Sequence, residues 1–144
     1  MAFIDIHGHY AWDIDDGIPS LEDAKKALEK AKNNRISTIV ATPHVVSGKH
    51  TLKDLEIIKD RIHDLKELAR VYNIEVLEGC ELFLNHDYLE ALEQNIFIPI
   101  ENTHYLLVEF DVRKELGNEN EVEDRLYEIQ YKGYTPVIAH VERY

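Results

Sequence analysis

Cysteine is nearly missing from this sequence, as are methionine and tryptophan, each present once. The lone Cys80 excludes an internal disulfide framework. Basic residues are also scarce: 16 Lys and Arg stand against 28 Asp and Glu, giving a net charge of -12. Such a surface repels nucleic acid and anionic membranes, so neither is expected as a partner. No apolar run approaches the roughly 20 residues needed to cross a bilayer, so membrane insertion is not expected. The opening Met-Ala-Phe-Ile-Asp-Ile-His has no basic stretch and meets charge at Asp5, unlike a secretory signal, which points to the cytoplasm. Neither a Walker A loop nor Gly-x-Gly-x-x-Gly occurs, leaving a nucleotide cradle unsupported. Cys80 is followed by Glu81 through His86 with no Arg among them, which argues against a cysteine-phosphatase loop. Its expected role is that of a small buried hydrophobe facing the helix layer.

What is present is a regular alternation of two periods. Apolar β-type runs lie at Phe3 to Ile6, Ile36 to Ala41, Ile74 to Leu77, Tyr105 to Phe110 and Pro136 to Ala139. Their starts fall about 30 to 40 residues apart, the length of a strand–helix unit. Between them, Ser20 with Asp23 and Thr51 with Asp54 have capping-box spacing before apolar faces of helical period. A short helix is predicted over Asp87 to Gln94 with Tyr88, Leu89 and Leu92 inward. Another is predicted from about Asn120 to Lys132 on Val122, Leu126 and Ile129, stopped by Gly133. The alternation predicts an α/β fold with five parallel strands and intervening helices, in a single domain over residues 1–144. A β/α barrel usually needs 200 residues or more, so this length fits the first part of one.

The chemistry collects at strand ends. After the first strand come His7 and His9, then Asp13, Asp15 and Asp16; after the second comes His44. The third leads to Glu78 and Glu81, the fourth to Glu109 and Asp111, and the fifth to His140. The C-terminal edge of parallel strands is where β/α folds build their sites. Of eight histidines, four lie there; His50, His63, His86 and His104 fall elsewhere and read as surface residues. In His7-Gly8-His9, positions i and i+2 of an extended chain face the same way, so both imidazoles can grip one ion. Mixed nitrogen and oxygen ligands suit manganese, iron or zinc better than calcium. Glu81 has two oxygens with which to bridge ions, an arrangement suited to phosphoryl transfer. Arg143, three residues past His140, is placed to hold a phosphate by two parallel hydrogen bonds.

Ile4-Asp5-Ile6-His7-Gly8-His9, Asp15-Asp16-Gly17, Ala41-Thr42-Pro43-His44, Gly79-Cys80-Glu81, Val108-Glu109-Phe110 and Ile138 through Tyr144 together carry a resemblance. The sequence resembles the PHP (polymerase and histidinol phosphatase) superfamily, and within it the CpsB/YwqE-type tyrosine-protein phosphatases of Gram-positive capsule and exopolysaccharide loci. The resemblance implies a distorted (β/α)7 barrel with up to three divalent ions, commonly manganese, with iron, zinc or magnesium as alternatives. It implies hydrolysis of phosphotyrosine by a metal-bridging hydroxide on a protein such as a bacterial tyrosine autokinase. By matching motif, His7, His9 and Glu81 hold the first ion; Glu81, Glu109 and His140 the second; Asp16 and His44 belong to the third. Arg143 resembles the arginine that binds the phosphoryl group. Family members continue into two further strands and a late Asp-x-His motif. The expectation is therefore a partial PHP-type barrel with the last two strands absent, only the second ion keeping its full set. Its first and fifth strands are expected to be open edges able to pair with another copy.

Three other readings share some of these features. A small-molecule phosphatase of the histidinol-phosphatase kind uses the same chemistry. An amidohydrolase also begins with His-x-His but resembles this sequence less, since it usually places a carbamylated lysine where Glu109 stands. A truncated, inactive metal- or partner-binding remnant keeps the ligands without the turnover.

Overall fold

Local signals already decide where most elements begin and end. The computed structural model describes residues 1–113 and 119–144. The first strand, β1 (Phe3–Gly8), leads through a loop to helix α1 (Leu21–Asn33). Ser20 holds an extended backbone, and its hydroxyl accepts the Asp23 N–H at 3.2 Å. The predicted reciprocal box is only half formed there, with the Ser20 hydroxyl also donating to the Asp23 carboxylate at 3.1 Å. The box is complete before α2 (Leu52–Arg70), where Asp54 accepts the Thr51 N–H at 2.8 Å. Both helices bury one stripe: Ala24, Leu28 and Ala31 in α1, and Leu55, Ile58, Ile62, Leu65 and Ala69 in α2. No helix among the described residues is long and apolar enough to cross a membrane.

With only 6 glycines in the chain, helix stops fall mostly to other residues. Asn73 after α2 and Asn95 after the short helix α3 (Tyr88–Glu93) take the left-handed backbone, with φ of 54° and 57°. Asparagine tolerates this region better than most side chains. Arg35 takes it after α1 with φ of 62°, and has no such tolerance. Only α4 (Glu119–Tyr131) uses a glycine, Gly133 at φ of 100°. In α3 the buried residues are Ala91 and Leu92, whereas Leu89 is 43% exposed, contrary to its predicted inward position. A six-residue helix shows too little period for its face to be read from sequence.

The five predicted strands are all present and all parallel, but two of them are bent. Strand β2 (Ile36–Ala41) stops at Thr42-Pro43, and pairing resumes at β3 (His44–Val46). Likewise β4 (Glu75–Glu78) breaks at Gly79-Cys80 and resumes at β5 (Glu81–Phe83). The result is two sheets, ordered β1-β2-β4 and β3-β5-β6-β7, where β6 is Tyr105–Glu109 and β7 is Thr135–Ile138. Pro43 has no N–H to give a ladder, which permits the bend, yet its carbonyl still accepts the Glu81 N–H at 2.9 Å. Cys80 is fully buried at the second bend, where its Sγ accepts the Ile98 N–H at 3.1 Å. Burial pushes its thiol up to about 12.

The core lies between strands and helices, on Ile39, Val45, Val76, Leu82, Leu106 and Val108 against the helix stripes. Strand β1 sits at the outer edge of its sheet, and Phe3, Ile4 and Ile6 are at least half exposed there. All strands run toward one end, so their C-terminal tips meet. The left-handed Arg35 backbone costs about 1 kcal/mol for a residue with an ordinary Cβ. Arg35→Asn is therefore expected to raise stability by about 0.5–1 kcal/mol, measured by urea denaturation; no gain would mean that the Arg35 side chain compensates the strain.

Candidate metal centre

Each bend and strand end delivers one polar side chain to the same place. His7 stands near the end of β1 and His9 just past it. His44 opens β3 and Glu81 opens β5, so the Pro43 and Cys80 bends aim both. These two residues are register partners in the ladder. Glu109 closes β6, and His140 follows β7. The loop after His9 is pinned by the Asp13 N–H on the Ile18 carbonyl (2.9 Å) and the Ile18 N–H on the His9 carbonyl (3.3 Å). Farther out, the Arg61 guanidinium donates to the Trp12 carbonyl and lies 4.8 Å over the Trp12 ring.

Glu81 is the centre. Its side chain is 1% exposed, yet four imidazoles surround it. His7 Nε2 and His9 Nε2 both lie 2.9 Å from Glu81 Oε2, and His44 Nδ1 lies 3.6 Å from the same oxygen. His140 Nε2 is 2.9 Å from Glu81 Oε1 and 3.2 Å from Glu109 Oε2. His44 Nδ1 is also 3.2 Å from Glu109 Oε1, and its Nε2 is 3.1 Å from Asp16 Oδ1. Asp15 Oδ2 meets His9 Nδ1 at 3.0 Å and accepts the His44 N–H at 3.0 Å.

Burial of this cluster opposes every charge, but the partners win. Burial works against a charged His9, and Asp15 with Glu81 overcomes it, pushing His9 up to about 10. Burial alone raises a carboxyl, yet His7 and His9 hold Glu81 well below the usual carboxylate range. Asp15 is held low against its burial by His9 and the N–H groups of His44 and Gly17. His44 is raised chiefly by its hydrogen bond to Glu109. Carboxylates that favour positive charge on His9 and His44 dispose the cluster toward a cation.

The residues fit divalent ions by three observations. Three groups have donor atoms within 4.8 Å of one another: His7, His9 and Glu81; His9, Asp15 and His44; His44, Glu81 and Glu109. The nitrogen–oxygen separations of 2.9–3.2 Å match ligand atoms about 2.1 Å from a shared ion, which lie about 3 Å apart. His140 Nδ1 is the one buried side-chain nitrogen or oxygen without a hydrogen-bond partner among the described residues. The His140 backbone is itself left-handed, at φ 33° and ψ 56°. A neutral His9 that keeps Nδ1–H on Asp15 would turn its Nε2 lone pair inward, the arrangement that carboxylates give metal-bound histidines.

Of the residues singled out in the sequence, the structure brings together His7, His9, His44, Glu81, Glu109 and His140, with Asp16 at the rim. Asp16 is 84% exposed, whereas Asp15 is 7% exposed and more deeply engaged. The motif match singles out Asp16, which meets His44 at the rim, while the fold of the loop sets Asp15 beneath it on His9. Arg143 lies on a 3₁₀ turn (Val141–Arg143), exposed and without a side-chain partner among the described residues. The next residue, Tyr144, ties that turn back by accepting the Phe110 N–H on its hydroxyl at 2.9 Å. Asp111 pairs with Arg113 at 2.9 Å and is not among those three groups. His63, His86 and His104 are exposed as expected, but His50 is not a surface residue: it is half-buried and bonded through its ring to the Val46 N–H. Gly48 was the available signal for that turn.

The family model for capsular polysaccharide synthesis, CpsB/CapC, matches residues 3–144. The tyrosine-protein phosphatase CpsB of Streptococcus pneumoniae is 32% identical over 143 residues, covering 98% of this chain and 57% of that protein. The tyrosine-protein phosphatase YwqE of Bacillus subtilis is 30% identical over 149 residues, covering 97% of this chain and 54% of that protein. The fold also matches a chain from the crystal structures of these two proteins, described as unique metal-dependent tyrosine phosphatases. That match has a TM-score of 0.79 and 29% identity, over 98% of this chain and 56% of the other. The chain thus spans little more than half the length of the relatives it matches. If Asp15 orients His9 toward an ion, Asp15→Asn is expected to weaken manganese binding about 10- to 100-fold. Calorimetric titration with circular dichroism as a folding control checks this, and unchanged affinity would remove Asp15 from the centre.

Proposed function

This chain belongs to the CpsB/CapC family of capsular polysaccharide synthesis, and on that premise we propose that it is a metal-dependent phosphomonoesterase acting on phosphotyrosine. The observation that carries the reading is the buried Glu81, shared by imidazoles from separate strand ends. His7, His9 and Glu81 would hold one ion, and Glu81, Glu109 and His140 a second. His44 with Asp15 or Asp16 forms a further set. Manganese is the first choice for this nitrogen and oxygen donor mixture, with iron, zinc or magnesium as substitutes. Bound there, divalent ions supply Lewis acidity and lower the pKa of a coordinated water toward neutrality.

The chain's own groups then do the positioning. Asp15 fixes the His9 ring, and the Glu81 carboxylate spans two ligand sets with its two oxygens. Arg143, on the turn after His140, is the proposed phosphoryl anchor, its planar guanidinium suited to two parallel hydrogen bonds. A phenolate leaves readily, with an ordinary pKa of about 10, so no strong general acid is required. The substrate is taken to be a tyrosine-phosphorylated protein such as a bacterial tyrosine autokinase. The exposed position of Arg143 favours a second reading, a metal-binding module without turnover.

With manganese present, hydrolysis of p-nitrophenyl phosphate is expected, lost on chelation and reduced at least about 100-fold by His140→Ala. Phosphotyrosine peptide should be turned over faster than histidinol phosphate in a phosphate-release assay. Full metal loading with no turnover on any of these would leave the module reading in its place.

A further inference from the structure

Beside the cluster lies a cavity of about 490 Å³, within the range of small-ligand sites. Its lining combines Asp15, Asp16, His44 and Glu109 of the cluster, the cations Lys49 and Arg113, and the apolar Ile14, Val46 and Phe83. His50 also lines it, and is the imidazole that the metal centre does not use.

The His50 ring is held in one orientation. Its Nδ1 accepts the Val46 N–H at 2.7 Å, while its own backbone N–H donates to the Val46 carbonyl at 3.0 Å. The turn between them depends on Gly48 at φ 79°, where a Cβ would meet Asp87 Oδ2 at 2.3 Å. The Ser47 hydroxyl donates to the Phe83 carbonyl at 2.8 Å, and Asn85 donates to the Ser47 carbonyl at 2.9 Å. The loop is thereby fastened to the strand end on both sides. A backbone N–H can only donate, so Nδ1 carries no proton and the neutral ring's single proton sits on Nε2. Burial holds His50 below the ordinary histidine range, which keeps the ring neutral at pH 7 and above. Nε2–H has no protein partner among the described residues.

We propose that His50 binds the substrate of this site: its Nε2–H, oriented by the Val46 clasp, donates to an oxygen of an aryl phosphate whose ring lies on Ile14, Val46 and Phe83. The inference rests on the phosphatase reading and adds to it the subsite that selects an aryl over an alkyl ester. A hydrogen bond to a charged oxygen is strong enough for about a tenfold effect on affinity.

The test separates the clasp from the donor. In His50→Asn the side-chain oxygen takes the place of Nδ1 and keeps the Val46 bond, but nothing reaches the cavity. Calorimetry on the magnesium- or manganese-loaded chain would compare phenylphosphonate, which cannot be hydrolysed, with methylphosphonate. The expected result is tighter binding of the phenyl compound, weakened about tenfold by His50→Asn at unchanged melting temperature. In the magnesium-loaded wild-type chain, the long-range proton–nitrogen spectrum should show Nε2–H of His50 shifting on addition of phenylphosphonate. That measurement stands even where the variant fails to fold. Wild-type affinity in His50→Asn, or a silent His50 signal, overturns the inference. Hydrolysis of p-nitrophenyl phosphate without phenylphosphonate binding also overturns it, and leaves the phosphatase reading standing. Binding through His50 without hydrolysis supports it while the phosphatase reading fails.

Discussion

A carboxylate buried to the last per cent of its surface is expensive, costing several kcal/mol unless it is compensated. Glu81 is in that position, and its compensation comes from no single neighbour. His7 and His9 arrive from β1, His44 from β3 and His140 from beyond β7, so no pair of strands can shift without exposing the charge of another. The bends at Thr42-Pro43 and Gly79-Cys80 exist in the same frame. The register passes through both bends unchanged, from Ala41 opposite Glu78 to His44 opposite Glu81, so the pair is turned into the second sheet together. The electrostatics of one residue thus ties the two sheets together at the end where chemistry is possible.

The alternation of periods was enough to place five strands and four helices, and the two best-marked helices, α1 and α2, are long and capped. The α2 box formed as its spacing predicts, and the core stripes of α1 and α2 followed the helical period. The bends were not legible. Pro43 reads as the end of a strand, yet a proline loses only its donor and its carbonyl went on pairing. Leu89 was placed inward on a helix too short to average out its neighbours. His50 resembled any loop histidine: Gly48 signals a turn, but not that the turn folds the ring onto Val46. For the cluster, residue type and strand-end position found its members. The motif pointed to Asp16, and the contact of Asp15 with His9 needed the path of a loop to be seen.

The centre and the neighbouring cavity divide the work by polarity. The cluster is acidic and imidazole-rich, suited to cations; the cavity adds apolar Ile14, Val46 and Phe83 together with the donors His50, Lys49 and Arg113. A phosphate monoester of a phenol has the same division, anionic at one end and apolar at the other. A net charge of -12 opposes anionic ligands at long range, so any attraction for one would have to be local.

His140 holds its ring between two carboxylates from a backbone that most side chains avoid. A glycine at that position would relieve the twist and take away the ligand in the same step. On the proposed reading, stability and function pull in opposite directions at one residue: selection for thermal robustness alone would drift toward glycine or asparagine there, and selection for metal binding would hold histidine against it.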